Sequence, residues 1–215
     1  MSNKKLTEMV FILDRSGSMH GLEKETIGGY NSLIEKQIKE EGEAKITTVI
    51  FDDACEMLYD GADIKKVDEM TDKVYFARGC TALLDAIGKT IIHVGNRHKM
   101  ACDDELPNKT IVTIITDGYE NSSREFDIHK VKQLISEQKE EHGWEFMFLG
   151  ANIDAIATAR NFGINADRAV TYEADSIGTK MNFDAVCDAT VKMRKNEPVD
   201  DSWKKEIENY VKNKK

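Results

Sequence analysis

MVFILDRSGSMHG, residues 9–21, is the stretch on which the fold turns. Met9 to Leu13 are apolar without alternation, and they run straight into Asp14, with Ser16 and Ser18 following at a spacing of two. An unbroken apolar run bounded by polar residues reads as a strand covered on both faces, as in parallel sheets. A carboxylate at the tip of such a strand is costly unless something faces it. What packs around the strand and what meets its end are therefore one question.

Outward from this stretch, strand and helix patterns alternate. A helix follows with Ile27, Tyr30, Ile34 and Ile38 on one face, and Gly28 and Gly29 inside it are expected at close-packing positions. The apolar runs Lys45–Phe51 and Cys55–Tyr59 are joined only by Asp52, Asp53 and Ala54, too short a link for anything but an antiparallel hairpin. Residues 81–100 form the most apolar helix, striped by Leu84, Ile87, Ile91 and Val94 with Leu83 and Ile92 beside them. KTIVTIITDG, residues 109–118, is a second buried strand, and it too ends in an aspartate, Asp117. Ile128, Val131, Leu134, Ile135 and Gln138 mark a helix before the strand WEFMFLG (144–150), and Ile153, Ile156 and Phe162 mark another before RAVTYE (168–173). A last helix is expected over about Thr179–Arg194.

The succession predicts an α/β fold: a doubly wound, mostly parallel six-stranded sheet with one antiparallel edge strand and helices on both faces. One domain is expected over residues 1–195. Residues 196–215 should form an amphipathic helix that packs on it through Trp203, Ile207, Tyr210 and Val211.

The composition fits such a domain, at 40% hydrophobic and 32% charged residues with two prolines in 215 positions. A net charge of −9, from 30 basic and 39 acidic residues, argues against nucleic-acid and anionic-membrane partners. Cys55, Cys80, Cys102 and Cys187 form no CxxC pair and read as free thiols of a reducing compartment. The apolar part of residues 1–18 is too short for a signal peptide and ends in charge, and no stretch is long enough to span a bilayer. A cytoplasmic location is expected.

In a doubly wound sheet the ligand crevice lies beyond the carboxyl ends of adjacent strands whose connections diverge. Chain order makes the Asp14 and Asp117 strands that pair, about 4.8 Å apart. Two carboxylates so placed repel unless a proton or a cation intervenes. A divalent cation answers the opening question: Asp14, Ser16 and Ser18 offer oxygens from one loop and Asp117 from across the crevice. Thr81, at the start of the long helix, adds a hydroxyl, and that helix's N-terminus would favour an anion nearby. Mg²⁺ is the expected ion, with Mn²⁺ and Ca²⁺ as alternatives. The same residues can also serve as helix caps and turn formers while ligating a cation.

With DRSGS (14–18), Thr81 within GCTALLDAIG (79–88) and TDG (116–118) in this order, the chain resembles a von Willebrand factor type A domain of the intracellular bacterial type, from about residue 7 to residue 195. The metal-ion-dependent adhesion site of that family is built from an Asp-x-Ser-x-Ser loop, a threonine and an aspartate. The resemblance implies that Asp14, Ser16, Ser18, Thr81 and Asp117 hold the cation, some of them through water. Cys80 stands where the family often has glycine. It further implies a protein-binding module without enzymatic activity, which captures an Asp or Glu of a partner protein and is linked in such families to chaperone-like ATPase assemblies.

The alternative is a Mg²⁺-dependent phosphohydrolase, but haloacid-dehalogenase-like enzymes carry a second carboxylate where this chain has Ser16. Asp85, one turn after Thr81, could orient water on the metal or face the helix dipole. Asp52 and Asp53 could be turn or rim residues, Glu120 and Asn121 ligand readers or a solvated loop. His20 and Cys80 read as an exposed loop residue and a small packing residue.

Overall fold

The structure, a computed structural model, describes residues 5–214; residues 1–4 and 215, at the outer ends of the expected domain and tail, lie outside the described residues. The decisive apolar run becomes β1 (Leu6–Asp14), buried at all nine of its positions. It is followed by α1 (Glu23–Lys39), β2 (Glu43–Phe51) and β3 (Cys55–Asp63). Then come α2 (Leu83–Met100), β4 (Lys109–Thr116), α3 (Ile128–His142) and β5 (Glu145–Ala151). The chain ends with α4 (Ala155–Asn161), β6 (Ala169–Tyr172), α5 (Ser176–Arg194) and α6 (Lys205–Lys214).

The six strands lie in the order β3-β2-β1-β4-β5-β6. All neighbours are parallel except β2 and β3, the hairpin predicted from its short link. β1 is central, pairing Asp14 with Phe51 on one side and Leu13 with Ile115 on the other, so Asp14 and Asp117 emerge side by side. Because strand side chains alternate, Met9, Phe11 and Leu13 meet α1 and α5 on one face, while Val10 and Ile12 meet α2, α3 and α4 on the other. Burial of this kind supplies the main driving force for folding, about 25 cal/mol per Å² of apolar surface.

Several details depart from the sequence expectation. Gly29 is close-packed, since a Cβ there would stand 2.5 Å from the Phe183 ring, whereas a Cβ on Gly28 would meet nothing within 4 Å. Ile92 is exposed on α2, and α5 begins three residues early because the Asp175 side chain accepts from the Gly178 N–H and caps it. In the tail, Ile207 and Val211 are buried, the Trp203 indole donates to the Asp167 carbonyl, and Tyr210 Oη donates to Asp175.

At the start of β1, Glu8 is fully buried although it borders the apolar run as a charged residue. Its carboxylate accepts from Thr47 Oγ1 at 2.6 Å, lies 2.7 Å from His98 Nε2 and pairs with Arg97. Burial alone would raise its pKa, but these partners outweigh it and bring it down to about 2. Arg97 also reaches Asp60 at 2.9 Å, fastening α2 to the edge strand.

Candidate metal centre

The two strand-end aspartates converge. Thr116, the last residue of β4, donates its hydroxyl to Asp14 Oδ2 at 2.6 Å, and the Asp117 N–H approaches the same oxygen at 3.4 Å. Asp14 Oδ1 accepts from the Ser16 N–H at 2.7 Å, which folds the DRSGS loop back over the strand tip. Ser16 Oγ and Ser18 Oγ are 3.1 Å apart. A Cβ built on Gly118 would stand 3.4 Å from Ser18 Oγ and 3.8 Å from Thr81 Oγ1, so both hydroxyls flank the residue after Asp117. Asp14, Ser16, Ser18, Thr81 and Asp117 thus come together at the carboxyl end of β1 and β4.

From below, the buried Tyr75 hydroxyl donates to the Asp14 carbonyl, and Tyr172 Oη reaches the Thr116 carbonyl at 3.4 Å. The backbone of both strand tips is thereby held by side chains from the α1/α5 face.

Electrostatics at this cluster is one-sided. Asp14, Ser16 and Asp117 are each 1% exposed. Burial raises the Asp14 pKa, with hydrogen bonds from Thr116 and Ser16 opposing it. Burial also raises Asp117, to about 6, with the Asn152 hydrogen bond opposing and the Asp14 charge adding. None of the ion pairs among the described residues involves either aspartate. The nearest cationic residue in sequence, Arg15, is fully buried yet turned away; its Nε is 2.9 Å from Asp52 Oδ2 and its Nη1 is 3.0 Å from Glu56.

The donor set fits a hard divalent cation: oxygens only, two of them on carboxylates that lack a positive partner. No group of three or more His, Cys, Asp or Glu side chains is gathered for a metal among the described residues, and this cluster draws on hydroxyls as much as on carboxylates.

The secondary candidates fall elsewhere. Asp52 is an internal hub, accepting from Arg15, from Arg78 at 2.7 Å and from the Ala54 N–H at 2.8 Å. Burial works against it, but these partners hold its carboxyl below the usual range. Asp53 crowds Gly79, where a Cβ would come within 2.0 Å of its Oδ1; with φ at +67°, that position tolerates little but glycine.

Asp85 faces the loop that follows β4. It accepts from the N–H groups of Arg124, Glu125 and Phe126 at 3.1, 2.9 and 2.9 Å, pinning the loop after β4. Glu120 is half-buried and Asn121 exposed, and each side chain accepts from an amide near the start of α2. Glu120 Oε2 accepts from the Leu84 N–H at 2.9 Å and Asn121 Oδ1 from the Thr81 N–H at 2.9 Å. Glu120 is therefore the anion that the α2 N-terminus attracts, and Thr81 does not cap the helix with its own side chain. His20 is exposed near Glu23, and Cys80 is an exposed free thiol rather than a packing residue.

Sequence reasoning passed over Arg15, Tyr75 and Asn152. The Asn152 amide donates to Asp117 Oδ1 from the end of β5. The only signal for it in the sequence is a polar residue just past a buried strand, which singles out nothing.

Comparison with solved structures places the fold. The chain is similar to proximal thread matrix protein 1 of the mussel byssus, with a TM-score of 0.62 and 15% identity over 89% of this chain and 46% of that one. The mussel protein with a zinc-occupied MIDAS motif gives 0.56 at 14% identity over 86% of this chain and 46% of that one. Manganese-loaded TRAP protein of Plasmodium vivax gives 0.57 at 15% identity, over 83% of this chain and 73% of that one. A von Willebrand factor type A protein from Catenulispora acidiphila gives 0.55 at 14% identity, over 87% of this chain and 43% of that one. The chain spans about half the length of the mussel chains it matches. At these identities the likeness establishes a von Willebrand factor A-like Rossmann fold. No protein-family model matches the chain, and no curated protein matches it.

Proposed function

We propose that the chain is a metal-ion-dependent protein-binding module, in which Asp14, Ser16, Ser18, Thr81 and Asp117 hold a divalent cation, Mg²⁺ by preference. The observation that carries this reading is the pair of buried, convergent carboxylates beside three hydroxyls, with the adjacent Arg15 committed to Asp52. The metal-loaded structures among the similar folds support the cation at the level of the fold. When bound, the ion supplies an electrophilic position for a carboxylate from a partner's Asp or Glu. With one or both aspartates acting through water, the direct ligands are mostly neutral hydroxyls, and the charge they leave uncancelled favours an anionic partner group.

A binding role is favoured over phosphoryl transfer because Ser16 stands where haloacid-dehalogenase-like phosphohydrolases carry their second carboxylate. A cytoplasmic setting belongs to the same proposal: all four cysteines are unpaired, and no described helix is long and apolar enough to cross a membrane.

The test is calorimetric titration of the chain with Mg²⁺ and Mn²⁺, followed by partner capture with and without a chelator. Binding should saturate at one ion, and Asp14→Asn should abolish both ion uptake and capture. Capture that persists unchanged in chelator would overturn the reading.

A further inference from the structure

Asn152 follows β5 directly and lies one strand over from Asp117, since Gly150 of β5 pairs with Thr116 of β4. Its φ is +54°, one of two non-glycine residues among those described with positive φ. That left-handed conformation is unfavourable for side chains in general and least so for asparagine. Strain of this sort persists where the surrounding structure needs it. Here the need is visible: the Asn152 amide donates to Asp117 Oδ1, and no other side chain among the described residues donates to either oxygen of that carboxylate.

The two site aspartates are thus held unequally. Asp14 has both oxygens engaged, Oδ1 by the Ser16 N–H and Oδ2 by the Thr116 hydroxyl. Asp117 has one oxygen tied by Asn152, and no hydrogen bond from the described residues reaches its Oδ2. A carboxylate fastened through one oxygen by a single amide has its orientation set by that amide. We infer that Asn152 is the positioning residue of the cation site: it fixes the Asp117 carboxylate so that Oδ2 is the oxygen presented to the ion, and by drawing on Oδ1 it limits the negative charge delivered there. This rests on the reading that the site takes a divalent cation.

A backbone role and an amide role make opposite predictions for one substitution. Asn152→Gly keeps the left-handed backbone, relieves its strain and removes the amide. Partners that orient ligands in this way are worth about 10- to 100-fold in metal affinity. Asn152→Gly should therefore weaken Mn²⁺ binding about tenfold or more by calorimetry, while its melting temperature without metal stays equal to or above the parent's. Asn152→Asp, which replaces the donor by a second carboxylate, should tighten Mn²⁺ relative to Asn152→Gly and alter the Mn²⁺ electron paramagnetic resonance line shape. Equal Mn²⁺ affinity in the parent chain and Asn152→Gly overturns the inference and leaves the cation reading standing. Failure of the parent chain itself to bind Mn²⁺ overturns both.

Discussion

Arg15 sits inside the loop that carries Asp14, Ser16 and Ser18, yet its guanidinium turns from that loop to Asp52, with Nε 2.9 Å from Oδ2. Both side chains are 2% exposed. The consequence reaches the neighbouring site, because a guanidinium folded toward Asp14 would neutralise the carboxylate that the cation is proposed to meet.

Breaking this pair should be expensive. Each partner keeps a second ion pair, Arg15 with Glu56 and Asp52 with Arg78. Removing one therefore leaves the other partly compensated and should cost less than a fully stranded buried charge, which costs about 3–5 kcal/mol. Arg15→Met should lower the urea-unfolding free energy by about 2–3 kcal/mol, and Asp52→Asn by a similar amount. The double variant should fall short of the sum, since the two share one interaction. A single-variant loss below about 1 kcal/mol would show the pair to be energetically idle.

Cation uptake should depend on pH in a stated direction. Asp117 titrates at about 6 without metal, and the Asp14 pKa is also raised, so protons compete with the ion at both carboxylates. Mn²⁺ affinity should be near its plateau above pH 7 and should fall by about tenfold per pH unit once the pH drops below about 6. Calorimetry at pH 5, 6 and 7.5 reads this directly, and a flat profile would count against the two aspartates as ligands.

Stability without metal should peak in mildly acid solution. The folded-state pKa of Asp117 is raised from 3.8 to about 6, so its ionisation opposes folding as pH rises through that window, by about 3 kcal/mol once complete. Glu8 acts in reverse: its pKa falls from 4.5 to about 2, so its contribution, also about 3 kcal/mol, is present above 4.5 and lost as pH falls through 2. Urea midpoints from pH 3 to pH 8 should show a maximum near pH 4 to 5, and saturating Mg²⁺ should remove the decline on the alkaline side.

Asp85→Ala should loosen the loop after β4 without dissolving the sheet. Three backbone N–H groups, of Arg124, Glu125 and Phe126, lose their acceptor. The expected loss is about 2–3 kcal/mol. Amide exchange at residues 124–126 should accelerate well beyond that at residues 9–13, and exchange that rises equally at both would show a general loss of the fold instead.

The architecture was legible because it is written in local patterns. The unbroken run Met9–Leu13 announced a central strand, and the three-residue link between Phe51 and Cys55 left only a hairpin. The gathering of Asp14 and Asp117 followed from strand order alone. What stayed hidden depends on contacts between residues far apart in the chain. Asp85 holds a loop some forty residues downstream, Tyr75 supports the Asp14 carbonyl, and Asn152 meets Asp117 across two strand ends. No periodicity or spacing encodes such pairings. The contacts of Glu120 and Asn121 stayed hidden for the same reason, because their partners, the first amides around α2, lie in another loop.

β1 is hydrogen-bonded to a neighbour along both edges and is covered at every position. A loop mounted on its tip is welded to the slowest-opening part of the molecule, so it has no private route to disorder. On heating the parent chain at neutral pH, ion uptake and folding should then fail together, because the loop loses its shape only when the middle of the sheet unravels.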